Sequence, residues 1–245
     1  MKILALIPAR YASTRFPAKP LALIHGQTMI QRVYSRVSQV FDHCYVATDH
    51  PLIESECLRF GGGVVMTSTE HRSGTDRCRE AMEKIGGEWD VVLNIQGDEP
   101  FISISQLELV ASLFEDERTE IGTLIKHFEG GEDIFNANSP KVVCDTEGFA
   151  LYFSRSVIPY FRGLDEAQWH SSHVYNKHIG IYGYRADVLR EITDLEPSSL
   201  EVAESLEQLR WIENGYKIKT AVTDERSYAI DTPDDLKEVE GLFAD

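Results

Sequence analysis

Apolar residues along this chain follow two rhythms. Short continuous runs at Lys2 to Ile7, Cys44 to Thr48, Val64 to Met66 and Val91 to Ile95 lack polar alternation, as strands buried on both faces do. Between them, near Met29 to Val40, Leu52 to Phe60 and Thr75 to Ile85, apolar positions recur at helical spacing. The glycine clusters Gly61-Gly62-Gly63 and Gly86-Gly87 stand where a helix must hand over to a strand. Such alternation predicts a mostly parallel sheet with right-handed crossovers and helices on both faces, an α/β architecture that is Rossmann-like in the broad sense.

After a helix near Ile104 to Phe114 and a strand at Ile121 to Lys126, the pattern changes. An irregular acidic stretch, Phe128 to Asn138, precedes short strand-like runs at Val142 to Cys144, Leu151 to Phe153 and His178 to Tyr184, which predict a small β-rich extension. The polar segment Arg162 to Asn176 reads as a mobile lid, a subunit edge or a plain surface loop. Ser198-x-x-Glu201 has the capping-box pattern, and Val202, Leu206, Leu209 and Ile212 then predict one helix from Ser199 to Asn214, ended by Gly215. A strand at Lys217 to Val222 and a helix from Pro233 to Phe243, with Thr232 as N-cap, close the chain. The expected organisation is a single domain of two halves, over about 1–125 and about 126–245.

Composition narrows the function. With 245 residues, 42% of them hydrophobic, the chain can bury a sizeable core. No apolar segment approaches the roughly 20 residues that cross a bilayer, and the first residues enter a strand without a signal-peptide layout, so a cytoplasmic location is expected. Cys44, Cys57, Cys78 and Cys144 are scattered and form no C-x-x-C pair, which favours buried thiols over a zinc or disulfide framework. A formal charge of -16 with only 24 basic residues argues against a nucleic-acid surface. A nucleotide monomer needs only a pocket.

Against that acidic background, the loop after the first strand gathers cations. Arg10, Arg15 and Lys19 supply charged donors, while Ser13, Thr14 and main-chain N–H groups supply neutral ones, which is the donor set a triphosphate requires. The chain has no Walker G-x-x-x-x-G-K-[ST] loop and no G-x-G-x-x-G fingerprint. Asp98 follows an apolar strand and stands where a metal-binding carboxylate belongs, with Asp231 its candidate partner for magnesium. A turn role for Asp98 and a helix-cap role for Asp231 remain open at this level. His71-Arg72-Ser73-Gly74-Thr75 opens a helix and can reach a base or ribose, or simply cap it.

The run Ile7-Pro8-Ala9-Arg10-Tyr11-x-Ser13-Thr14-Arg15-x-Pro17-x-Lys19-Pro20-Leu21 resembles the signature loop of the 3-deoxy-manno-octulosonate cytidylyltransferases, or CMP-KDO synthetases. Further matching blocks are Val46-Ala47-Thr48-Asp49, Ser73-Gly74-Thr75, Asn94-x-Gln96-Gly97-Asp98-Glu99-Pro100, Ala150 to Arg155, His178-x-Gly180 to Arg185, Leu206 to Arg210 and Asp231-Thr232-Pro233. Two positions depart from the family pattern: Ala18 stands where glycine is usual, and Arg72 where glutamine is common.

The resemblance implies a Rossmann-like nucleotidyltransferase fold that joins CTP to a 3-deoxy-keto-acid sugar for lipopolysaccharide biosynthesis, releases pyrophosphate, uses magnesium and acts as a homodimer. It implies that Ala9, Arg10, Ser13, Thr14, Arg15, Lys19, Arg72, Ser73, Gly74 and Arg77 face the nucleotide, that Asp98 and Asp231 hold the metal, and that Arg15, Lys19 and Asp98 carry the chemistry. Gln96, Arg155, His178, Tyr182, Glu207 and Gln208 would line the sugar site; taken alone, His178 and Tyr182 read as core-edge polar residues, and Glu207 and Gln208 as a solvated helix face. A sialate-type CMP-sugar synthetase is the nearest alternative, although it typically lacks the Ser-Thr-Arg run. A non-catalytic nucleotide- or sugar-binding module is another, against which intact Lys19, Asp98 and Asp231 speak.

Overall fold

The computed structural model describes residues 1–13 and 15–242, so the expectation for Thr14 lies outside the described residues. The chain runs through β1 (Ile3–Ala9), β2 (Leu23–Ile24), β3 (Gln27–Thr28), α1 (Met29–Val37), β4 (Cys44–Thr48), α2 (Pro51–Arg59), β5 (Val64–Met66), α3 (Gly74–Ile85), β6 (Val91–Asn94) and α4 (Ile104–Ser112). It continues through β7 (Ile121–His127), β8 (Lys141–Cys144), β9 (Ala150–Ser154), α5 (Trp169–Ser172), β10 (Asn176–Arg185), α6 (Ala186–Thr193), α7 (Ser199–Glu204), α8 (Gln208–Glu213), β11 (Ile218–Val222) and α9 (Pro233–Leu242). Two compact units result: Met1–Glu108 with Arg185–Thr193 and Arg226–Asp245, and Leu109–Tyr184 with Asp194–Glu225.

In the first unit, β6, β1, β4 and β5 lie side by side in that order, all parallel. Leu4 to Ile7 and Val91 to Leu93 are fully buried, which is why these strands read as unbroken apolar runs. The chain steps outward from β1 to β4 and β5, then returns to place β6 on the other flank of β1. That reversal creates a switch point, and the loops leaving the carboxyl ends of β1 and β6 open a crevice there, where open α/β sheets bind ligands. Helix starts follow the sequence signals: Thr28 Oγ1 accepts from Gln31 N, and Ser73 Oγ accepts from Asp76 N at 3.1 Å.

The C-terminal helix α9 rejoins this unit through an apolar cluster of Ile24, Met29, Ile230 and Val239, against which Phe16, Phe101, Tyr228 and Leu236 pack. Its cap is reciprocal. Thr232 Oγ1 accepts from Asp235 N at 3.2 Å, while Asp235 Oδ2 accepts from the N–H groups of Asp231 and Thr232 at 2.9 and 2.8 Å. The capping role open to Asp231 is therefore filled by Thr232 and Asp235.

The second unit is built on β7, with β11 parallel on one side and β10 antiparallel on the other; β8 pairs β10 and β9 antiparallel. Two expectations need correction here. The single helix over 199–214 is two helices, because Ser205 takes a left-handed conformation (φ 51°) and its N–H closes α7 on the Glu201 carbonyl. Arg210 then bridges the break, its Nε and Nη2 reaching the two Glu201 carboxylate oxygens at 2.7 and 2.5 Å. The segment 162–176 is also no free loop. Trp169 and Tyr175 are 3% and 1% exposed, packed with Ile134, and fasten it into a small core of its own.

Candidate active site

The loop after β1 is tied down by its own main chain. Tyr11 O accepts from Ala18 N at 3.1 Å, closing the loop, and the chain then turns into a short 3-10 helix at Lys19–Leu21 anchored by buried Pro20. Ala18, at the start of that turn, has φ 54°, in the left-handed region that glycine enters freely and alanine does not. The glycine usual here is thus explained by backbone geometry. Replacing Ala18 with glycine should remove roughly 1 kcal/mol of strain net of the added unfolded-state freedom, raising Tm by about 2–4 °C in a scanning calorimeter.

Across the crevice, β6 ends in Asn94 and leads through Gln96 and Gly97 to Asp98. A side chain at Gly97 would place a Cβ 2.8 Å from the Pro8 carbonyl, so only glycine lets this loop lie against the end of β1. The Ile230 N–H donates to the Asp98 carbonyl at 2.9 Å, which brings residue 231 alongside residue 98 although 133 positions separate them. The result is one charge cluster. Lys19 Nζ lies 2.7 Å from Asp98 Oδ2 and 3.3 Å from Asp231 Oδ1, and Arg15 Nη2 lies 3.1 Å from the same Asp231 oxygen. Burial, and next the charge of Asp98, push the neighbouring Glu99 carboxyl up to about 7.

These groups line a cavity of about 380 Å³, within the ~300–1,000 Å³ usual for small-molecule sites. Its walls hold Ala9, Arg10, Ser13, Arg15 and Lys19 from the β1 loop, Arg72, Ser73, Gly74 and Arg77 from the start of α3, Gln96 and Asp98 from the β6 loop, and Asp231. With Arg77 engaged by Asp49 at 2.9 Å, the cations Arg10, Arg15, Lys19 and Arg72 on the wall outnumber the carboxylates Asp98 and Asp231 and leave it net positive in a chain of charge -16. His71 also lines the cavity, its Nε2 in close contact with Glu80 Oε2. For Glu80, burial is outweighed by hydrogen bonds from Lys84, the Ser68 N–H and His71, which hold its carboxyl at about 2.

Asp98 and Asp231 offer hard oxygen donors converging on one ammonium group. Among the described residues no group of three or more His, Cys, Asp or Glu is placed to hold a metal, so an ion here would complete its shell from phosphate and water, as magnesium does. The donor set fits that ion.

In the second unit, His178 and Tyr182 point to the same face of β10, their rings 5.2 Å apart, with Phe153 against His178 and Trp211 against Tyr182. A bulge between Ile179 and Tyr182 opens the pairing with β7, and the Thr123 hydroxyl fills it, 2.7 Å from the Ile181 carbonyl and 3.0 Å from His178 Nε2. Burial, then the charges of Tyr184 and Glu207, raise the Tyr182 phenol well above its ordinary value, so its hydroxyl stays a neutral donor. Among the described residues the Tyr182 hydroxyl and Gln208 Nε2 are buried with no hydrogen-bond partner, a cost that a polar ligand would relieve. Arg155 is placed differently. Its Nε, Nη1 and Nη2 donate to the carbonyls of Glu204, Ala137 and Ser205 at 2.6, 2.9 and 3.2 Å, so its guanidinium braces the end of α7.

His178 keeps some exposed surface, yet burial among these rings pushes its imidazolium down to about 4 from 6.5. The unfolded chain therefore binds the proton first, and stability that is complete above about pH 6.5 is lost as pH falls toward 4. That interval corresponds to at most about 3 kcal/mol, less for the part of the ring in contact with water. Thermal melts of wild type and His178→Gln between pH 7 and 4 should converge as the pH drops.

Asp49 was legible by the same signal as Asp98, a carboxylate at the carboxyl end of a parallel strand, yet reading it required the contacts it makes with Arg77 and Tyr11. The cytidylyltransferase family model matches residues 4–218 of the chain. A 3-deoxy-manno-octulosonate cytidylyltransferase from Bacteroides thetaiotaomicron is 60% identical over 243 residues, covering 98% of this chain and 97% of the relative. A solved structure of CMP:2-keto-3-deoxy-manno-octonic acid synthetase complexed with CTP superposes with a TM-score of 0.92 at 42% identity, covering 100% of this chain and 99% of that one. A cytidylyltransferase from Leptospira borgpetersenii, 16% identical with a TM-score of 0.65 and covering 100% and 89% of the two chains, shares the fold. The chain belongs to the cytidylyltransferase family and, within it, to the 3-deoxy-manno-octulosonate cytidylyltransferases.

Proposed function

We propose that this enzyme joins CTP to 3-deoxy-manno-octulosonate, giving the CMP-sugar and pyrophosphate, with magnesium as its cofactor and a homodimer as its working form. The observation that carries the reading is the cluster in which Lys19 sits between Asp98 and Asp231 on the wall of a cationic cavity. Arg10, Ser13, Arg15 and Lys19 bind the triphosphate; Ser73, Gly74 and the main chain near Ala9 face cytidine, with Arg72 adding a further cation. His178, Tyr182, Glu207 and Gln208 bind the sugar acid, with Gln96 beside Asp98 as a further donor.

The anomeric hydroxyl attacks the α-phosphorus in line, the new P–O bond forms as the bond to the β-phosphate oxygen breaks, and no enzyme-bound intermediate arises. Arg15 and Lys19 neutralise the charge that grows on pyrophosphate, and Asp98 takes the hydroxyl proton. Magnesium, held by Asp98 and Asp231, would supply charge neutralisation at the α-phosphate. Positioning and charge account for a site rich in Arg, Lys and Asp without a Ser-His-Asp set.

Pyrophosphate release across a panel of nucleotides and keto-acid sugars tests this. Turnover confined to CTP and 3-deoxy-manno-octulosonate is expected; preference for sialic acid, or binding without turnover, would replace the reading. His178→Ala should raise KM for the sugar by about tenfold with CTP binding intact. Arg155→Ala should chiefly lower Tm, since three carbonyls lose their donor.

A further inference from the structure

We infer that Asp49 is a positioning residue that locks the phosphate loop and the 67–73 loop into one register, and so sets the CTP affinity and base selectivity of the site; the inference rests on the proposed reading of these loops as walls of a CTP site. Strand β4 lies between β1 and β5, so the residue leaving its carboxyl end stands between the loops that leave its two neighbours. Asp49 is that residue. Its Oδ1 accepts from the Tyr11 N–H at 3.2 Å, and its Oδ2 accepts from Arg77 Nη2 at 2.9 Å.

Both connections continue into the site. On the phosphate side, the Tyr11 ring stacks on His50 at 3.8 Å, and the Tyr11 carbonyl accepts from Ala18 N, immediately before Lys19. On the other side, Arg77 Nη1 donates to Thr67 Oγ1 at 2.6 Å and to the Ser68 carbonyl at 3.3 Å, and the Thr67 hydroxyl donates to the Thr48 carbonyl at 3.1 Å. The Arg77 and Asp49 side chains are only 4% and 11% exposed, so water cannot readily replace either partner. Asp49 itself is not among the residues lining the cavity, and it acts through those that are.

The chemistry requires a carboxylate. Both partners are donors, and only a group with two acceptor oxygens serves both at once. Asparagine, of nearly the same volume, brings one acceptor and one NH2 donor, so one of the two links must open. A displacement of about 1 Å between binding groups can cost ~10²-fold in rate.

The test is steady-state kinetics and calorimetric CTP binding on the full-length chain. Asp49→Asn is expected to raise KM and Kd for CTP by about tenfold or more and to reduce preference for CTP over UTP, with KM for the sugar within about twofold of wild type. Thr67→Val keeps the ion pair but removes one Arg77 acceptor, and should act in the same direction by less. A fall in kcat or Tm with CTP affinity and base preference unchanged would mean a structural pair only and overturns the inference. If Asp49→Asn does not fold, Thr67→Val decides in the same way. Wild type without turnover on CTP overturns the proposed function, whereas active wild type with unchanged variants overturns only this inference.

Discussion

Exchanging either Asp98 or Asp231 for asparagine is expected to cut turnover by about 10³-fold while moving Tm by only a few degrees. Each exchange preserves side-chain size and removes one negative charge at a partly exposed position; the two side chains are 26% and 44% exposed, so little packing is lost. What is lost is a shared function. Because Lys19 Nζ reaches both carboxylates, a single cation at that point would be held by both, and groups that serve one ion act as a unit. The double variant should therefore be no more than about threefold worse than the worse single one. A magnesium titration of activity on the three proteins checks this: multiplicative losses with unaltered magnesium dependence would mean that the two carboxylates work separately.

Lys19→Ala should act in two directions. Loss of the ammonium removes a charged donor for the triphosphate, and kcat/KM for CTP should fall by about 10²–10³-fold. The same substitution also removes the group that neutralises Asp98 and Asp231, leaving two carboxylates without their bridging cation. Without nucleotide, magnesium should then bind more tightly than to wild type, since only Arg15, at Asp231, still competes for those oxygens. Isothermal titrations with CTP and with magnesium alone read the two effects separately. Unchanged CTP kinetics would remove Lys19 from the phosphate grip.

Much of this architecture follows from local pattern. The strands β4 and β5 coincide with their apolar runs at Cys44–Thr48 and Val64–Met66, and Ser73 and Thr232 cap the helices they precede, because burial of β4 and side-chain capping leave direct marks in the sequence; β5, at the end of the sheet order, is only half-buried, against the expectation of burial on both faces. Helix α6 is the contrary case. Its buried residues, Ala186, Val188, Leu189 and Ile192, are spaced helically, but the run follows β10 directly, with no breaker to announce it. The break at Ser205 was equally hidden, since apolar spacing continues across it and only the main-chain conformation records the change.

By itself, then, the sequence determined which residues carry charge, which strands are buried and which family the loop signatures belong to, because these depend on neighbours in the chain. The tertiary structure decided which distant groups meet. Asp231 joins Asp98 because the Ile230 N–H bonds the Asp98 carbonyl and an apolar cluster holds α9 in place, while Thr232 and Asp235 do the capping. Arg77 proved to be drawn into a buried pair by a carboxylate from the strand between two loops, and Arg155 to be fixed by three carbonyls. Such roles are set by which donors and acceptors burial forces into contact, and hydrogen-bond partners far apart in sequence leave no periodicity to read.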